Sequence, residues 1–137
     1  MAFAPYLSFD GTCAEAMRFY ADLFGAADLQ IMTCADAPPE VDRGATPASH
    51  VMHAQLTIDG HPLMGADAPM GMATKPAGFC VLHGAKSVEE ARCLFDALAG
   101  GGRVNMPFGP TFWSPGFGML IDRWSIPWII TVNAPPN

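Results

Sequence analysis

The chain has 137 residues, half of them apolar, and a net charge of −6 with only seven Lys and Arg. That length fits one compact domain with enough apolar material for a core. The acidic balance, with no basic cluster, argues against a nucleic-acid or anionic-membrane partner. No apolar run approaches the ~20 residues of a membrane span. Met1 to Phe9 lacks the basic start and long apolar stretch of a signal peptide. Cys13, Cys34, Cys80 and Cys93 form no Cys-x-x-Cys pair and no zinc-ribbon spacing, so free thiols in a reducing cytoplasm are expected. Charged residues are only 15% of the chain, which suggests that part of the surface is covered by a second copy in a homodimer.

Phe3 to Phe9 is apolar and aromatic and reads as a strand. Thr12 with Glu15 makes a capping box, and Ala16, Phe19, Tyr20, Leu23 and Phe24 recur at helical spacing up to Gly25. A helix is therefore predicted over 12–24, with Gly25 as its left-handed terminator. A strand is expected over 28–34, then a Pro/Gly-rich loop over 36–49. Val51 to Ile58 alternates, with Met52, Ala54, Leu56 and Ile58 on one face and Val51, His53, Gln55 and Thr57 on the other. Asp59-Gly60 is a two-residue hairpin signal, and His61 to Ala66 is the returning strand. A loop rich in Pro, Gly and Met follows over 67–76.

The pattern then restarts. Phe79 to Leu82 reads as a strand, and Ser87 with Glu90 is a second capping box. Ala91, Leu94, Phe95 and Leu98 form a second helical stripe, ended by Gly100, Gly101 and Gly102. Strands are expected over 103–108, 118–121 and 128–132, with a turn at 122–125. A shift of 75 residues lays Thr12 on Ser87, Glu15 on Glu90, Phe19 on Leu94 and Gly25 on Gly100. The predicted fold is α+β: two βαβββ modules, 1–66 and 77–133 of a single 1–137 domain, forming a curved mixed sheet with both helices on its outer face. The alternative is a chance likeness between two capped amphipathic helices.

A duplicated βαβββ module resembles the vicinal-oxygen-chelate (glyoxalase/bleomycin-resistance) superfamily. Particular residues resemble its PhnB-like branch, also called 3-demethylubiquinone methyltransferase-like. They are Glu15 to Tyr20 with Phe24-Gly25-Ala26, His53-Ala54-Gln55, Leu63 to Asp67, Thr111-Phe112-Trp113, Gly116-Phe117-Gly118, Asp122, and Ile126 to Ile130. The resemblance implies a small-molecule cleft on the inner face of the sheet. Metal-using members hold an ion with four inward His or Glu side chains. Those positions fall near Pro5, on Gln55, near Gly78 and near Ile129, so no metal and no cofactor is expected. The methyltransferase label implies a glycine-rich strand-to-helix turn followed by an acidic residue for the methyl donor, but Gly100 to Gly102 ends a helix and Gly116 to Gly118 reads as a hairpin.

His53 is the candidate catalytic residue, because imidazole titrates near neutrality and the strand pattern turns it into the cleft. Gln55, Trp113 and Phe117 are the candidate ligand-binding residues. His50 and His61 read as exposed loop residues and His83 as structural. Trp124 and Trp128 read as core or interface residues. Met64, Met70 and Met72 read as gap-filling residues, with a pocket wall as the alternative. Two functions stay open: a metal-free binder of a small apolar or aromatic compound, or a metal-independent enzyme using His53 as acid or base. A dimeric scaffold without ligand is a third reading, but it leaves the polar residues on the inner strand face unexplained.

Overall fold

The computed structural model describes residues 3–38, 46–69 and 71–133. Part of the loop predicted over 36–49, including Pro39 and Gly44, and the candidate Met70 lie outside the described residues. The chain divides into two compact units, 1–74 and 75–137.

The first unit runs β1 (Tyr6–Phe9), α1 (Cys13–Phe24), β2 (Gln30–Thr33), a short 3-10 turn (Cys34–Asp36), β3 (Val51–Ile58) and β4 (His61–Asp67). Its sheet has the order β1-β4-β3-β2, with β1 parallel to β4 and the other pairs antiparallel. The second unit runs β5 (Val81–Ala85), α2 (Val88–Ala99), β6 (Arg103–Gly109), β7 (Phe117–Ile121) and β8 (Pro127–Val132). Its sheet order, β5-β8-β7-β6, repeats the first with the same strand directions. The fold is α+β with two βαβββ modules, as the repeat in the sequence predicts.

Each helix buries one stripe against its own sheet. In α1 the buried residues are Cys13, Ala16, Met17, Tyr20 and Ala21; in α2 they are Ala91, Leu94, Phe95 and Leu98. Buried with them on the strands are Leu7, Phe9, Ala54, Leu56 and Leu63 in the first unit, and Val81, Leu120, Trp128 and Ile130 in the second. Each such large side chain contributes about 1.5–3 kcal/mol on leaving water.

Several local expectations fail for identifiable reasons. The Thr12 hydroxyl makes no cap hydrogen bond. The amide of Cys13, in the first turn, donates to Asp67 Oδ1, 2.9 Å away at the end of β4, so a tertiary carboxylate caps the helix start where the Thr12 hydroxyl does not. The second box forms as predicted at its serine: Ser87 Oγ accepts from the Glu90 amide at 3.1 Å. Gly25 is left-handed at φ 71, but Gly100 is extended, and the left-handed residue after α2 is Gly101 at φ 76. The two helix exits are therefore offset by one residue. β5 starts two residues later than predicted, leaving Phe79 46% exposed.

β3 departs most usefully. Met32 pairs with His53 but Thr33 pairs with Val51, so Met52 is an extra residue in a β-bulge. Val51 is buried at 1% exposure and Met52 is 42% exposed, the reverse of strict alternation. The bulge resets the phase, so that Ala54 and Leu56 face α1 while His53 and Gln55 stay on the opposite face. Asp67 Oδ2 accepts the Val51 amide at 2.8 Å and pins the bulge in place. The hairpin Asp59-Gly60 has positive φ at both residues, 51 and 80, as its sequence predicts.

Candidate functional site

The helix-free face of the first sheet carries the polar candidates. Tyr6 pairs with Met64, Met64 with Gln55 and Gln55 with Gln30, which makes a row across all four strands. His53 lies in the next row, beside Met32. His53 Nε2 is 3.2 Å from Gln55 Oε1, and His53 Nδ1 is 3.0 Å from the Tyr6 hydroxyl. The Tyr6 and His53 rings are tilted, with centroids 5.6 Å apart. A neutral imidazole protonated at Nε2 satisfies both contacts: it donates to the amide oxygen and accepts from the phenol. Gln55 is exposed, Tyr6 is 53% exposed and His53 is half-buried. The group is open to a ligand, and each ring nitrogen lies within hydrogen-bond distance of a polar side chain.

Tyr6 is the residue that sequence reasoning missed. Its signal was present in the alternation of β1, where Leu7 and Phe9 are buried and Tyr6 and Ser8 point the other way. Asp67 was legible only as part of a family motif, yet its carboxylate joins α1 to β3. His50, expected as an exposed loop residue, is half-buried with its Nδ1 enclosed. His61 is exposed, and His83 lies half-buried inside β5 rather than at its end.

Trp113 and Phe117 belong to the second unit. Their rings meet edge to face at 5.3 Å, and Phe112 meets Trp113 at 4.6 Å. Phe112 and Trp113 are 96% and 50% exposed; Phe117 is half-buried. Phe117 shares its face of the sheet with Met119 and Ile129, away from α2. The structure thus brings His53 to Gln55 and Trp113 to Phe117, in separate units.

Trp128 is buried at 1% exposure, and its Nε1 donates to Asp122 Oδ2 at 2.9 Å. Asp122 Oδ1 also accepts the amides of Trp124 and Ile126, at 2.9 and 3.0 Å, so this motif closes the last hairpin. Arg123 lies over the Trp124 ring at 5.1 Å. Gly116-Phe117-Gly118 is no hairpin, because Phe117 and Gly118 lie inside β7. A Cβ on Gly118 would stand 2.6 Å from Phe95 Cε2, so close helix packing explains that glycine. Met64 is half-buried and Met72 is 67% exposed.

Where the resemblance points to metal ligands, near 5, 78 and 129 and at 55, the chain has Pro5, Gly78, Ile129 and Gln55. Proline, glycine and isoleucine side chains offer no ligand atom at 5, 78 and 129, and Gln55 offers an amide already facing His53. Among the described residues, no group of three or more His, Cys, Asp or Glu is placed to hold a metal ion. Among the same residues, no helix is long and apolar enough to cross a membrane.

Comparison with known proteins agrees with this architecture. The family model for 3-demethylubiquinone-9 3-methyltransferase matches residues 1–131. Protein YjdN of Escherichia coli is 34% identical, over 96% of this chain and 95% of its own. The crystal structure of protein PA1353 from Pseudomonas aeruginosa is 36% identical, with a TM-score of 0.85 over 97% of this chain and 98% of that one. A PhnB protein from Bacillus cereus is 28% identical, with a TM-score of 0.77 over 97% and 100% of the two chains. At 14% identity, a glyoxalase/bleomycin resistance protein/dioxygenase family enzyme from Burkholderia phytofirmans shares the fold, with a TM-score of 0.62 over 94% and 95% of the chains. With the repeated module, the family match and these neighbours together, the chain belongs to the PhnB-like, 3-demethylubiquinone-9 3-methyltransferase family, and it shares its fold with a glyoxalase/bleomycin-resistance protein.

Proposed function

We propose that this protein binds a small organic molecule on the helix-free face of its first sheet, without the superfamily's four-ligand metal. The observation that carries the reading is the Tyr6–His53–Gln55 chain of hydrogen bonds on an exposed face. A structural histidine has little reason to sit there with both nitrogens engaged by polar side chains. His53 and Gln55 supply the polar contacts. Trp113 and Phe117, which meet edge to face within the second unit, are proposed as aromatic ligand-binding residues of that unit. The protein acts as a cytoplasmic homodimer; sparse charge and the exposed aromatics Phe112 and Trp113 support the dimer.

A second reading is a metal-independent enzyme of lyase, isomerase or transferase type, with His53 as general acid or base. The Tyr6 contact favours it, because an orienting partner on one imidazole nitrogen is how acid–base histidines are held. A compound screen read by thermal shift, followed by co-crystallisation, tests both. Ligand density on His53 and Gln55, with affinity falling in Gln55→Ala, is the expected result. Binding that ignores Gln55→Ala and His53→Ala alike refutes the site. Turnover of the ligand that vanishes in His53→Ala, with affinity kept, selects the enzyme; affinity lost through Trp113→Ala with no turnover selects the binder. Light scattering that gives 14.5 kDa at all concentrations refutes the dimer.

A further inference from the structure

We propose that the ligand held on the first sheet is a protonated amine with an apolar tail, its ammonium group seated at Asp28. The inference rests on the reading of Tyr6, His53 and Gln55 as a ligand site. It adds the charge of the ligand and a further binding residue.

The sheet register places Asp28 beside that site. Gln30 pairs with Gln55, so two residues further along the chain Asp28 comes opposite Thr57. The Thr57 amide donates to Asp28 Oδ1 at 2.9 Å, which fixes the carboxylate there. Thr57 alternates onto the same helix-free face as Gln55 and His53, and two residues of strand separate it from Gln55 by about 7 Å. The Thr57 hydroxyl, and after it the Thr57 amide, hold the Asp28 carboxyl below the usual carboxylate range, so it is anionic at neutral pH. Asp28 is exposed, and a carboxylate accepts up to about four hydrogen bonds, so it has room for a further donor.

The charge around the face has one sign. Nine of the thirteen Asp and Glu, but only two of the seven Lys and Arg, lie in residues 1–74, a net charge of −7. Strands β1 to β4 contain no Lys or Arg. Arg18 is on α1, across the sheet, and Arg43 lies outside the described residues. An anionic ligand would meet no fixed cation on these strands, while a cation is drawn towards them. The apolar tail has its own wall. Tyr6 and Met64 share the Gln55 row, and Met32 lies beside His53, with Tyr6 and Met32 half-exposed. Thioethers and aromatic rings make favourable contacts with a ring-bearing tail. An ammonium group at Asp28 and a ring over Met64 therefore lie one row apart, the reach of a short arylalkyl amine.

The test compares three probes of one shape on the full chain near neutral pH: 2-phenylethylamine, 2-phenylethanol and phenylacetate. Calorimetric titration should show millimolar binding of the amine, about fivefold weaker binding of the alcohol, and weaker binding still of the acid. Asp28→Asn keeps an oxygen for the Thr57 amide and removes the charge. It should bring the amine to the affinity of the alcohol and leave the alcohol unchanged. Raising salt from about 0.05 M to about 0.5 M on the unaltered chain should weaken the amine alone, which tests the charge even where Asp28→Asn folds poorly. Gln55→Ala should weaken all three probes. Equal binding of amine and alcohol, or amine affinity unmoved by Asp28→Asn and by salt, would overturn the charge assignment while Gln55→Ala still reports the site. No binding of any probe, or binding indifferent to Gln55→Ala, would overturn the site and this inference with it.

Discussion

Asp67→Ala is the sharpest test of how the first unit is held together. The carboxylate accepts from the Cys13 amide at 2.9 Å and the Val51 amide at 2.8 Å. Both donor residues are buried, at 0% and 1% exposure, so water cannot easily replace the lost acceptor. An orphaned buried donor costs about 1–3 kcal/mol, and two that share one partner cost about 2–5 kcal/mol together. That is a large part of the stability of a small domain, typically about 5–15 kcal/mol. Urea unfolding should be followed by far-UV circular dichroism and by tryptophan fluorescence in parallel. All three tryptophans lie in the second unit, so fluorescence reports that unit while dichroism reports both. The loss should therefore be larger by dichroism. Asp67→Asn keeps one acceptor oxygen and turns its amide hydrogens against the other donor, so it should fall between wild type and alanine. A loss below about 1 kcal/mol for Asp67→Ala would refute the claim that a tertiary carboxylate replaces the helix cap.

Three further outcomes are expected. Asp122→Asn should cost about 1–3 kcal/mol, because one of its terminal atoms must then face a hydrogen-bond donor; combining it with Trp128→Phe should cost less than the sum, and additivity in the double-mutant cycle would count against the pairing. Burial, and secondarily the charge of Asp67, pushes the Cys13 thiol up from 9.0 to about 12. The protonated form is the one the fold favours, so this stability is fully present below about pH 9 and is lost as pH rises towards 12. Cys13→Ala should flatten that alkaline decline, and iodoacetamide at pH 8 should label exposed Cys80 and Cys93 while sparing Cys13; early labelling of Cys13 would contradict its burial. Gly118→Ala should destabilise by about 1–3 kcal/mol through its clash with Phe95, and a neutral melting temperature would show that the helix gives way freely.

The duplicated module was legible because it rests on periodicity. Leu94, Phe95 and Leu98 in one helix, and Ala16 and Tyr20 in the other, repeat at 3.6-residue spacing, and both stripes are buried. Turn chemistry was equally legible at Asp59-Gly60. What the sequence hid was long-range or one residue wide. Nothing local shows that Asp67 will displace Thr12 as the cap of α1, since 54 residues separate Asp67 from Cys13. A bulge costs one residue and leaves no compositional mark, so Met52 and Val51 were assigned to the wrong faces. His53 and Gln55 kept their face only because the bulge falls before them. Their pairing follows from i, i+2 spacing on a strand; the Tyr6 contact depends on β1 lying parallel to β4, which no strand pattern announces.

A strand writes two messages in alternate letters, and the two modules use this differently. The letters read by the helix say nearly the same thing twice: apolar residues, buried on identical strand orders. The other letters have diverged. In the first module they spell Tyr6, His53, Gln55 and Met64; in the second, Leu82, Met119, Ile129 and Phe117. Substitution in one set leaves the other set's packing untouched, because the sheet itself stands between them. Duplication thus supplied a spare face that was free to change while the hydrophobic layer kept both copies folding. A family built this way can exchange the chemistry of one module without rebuilding its scaffold.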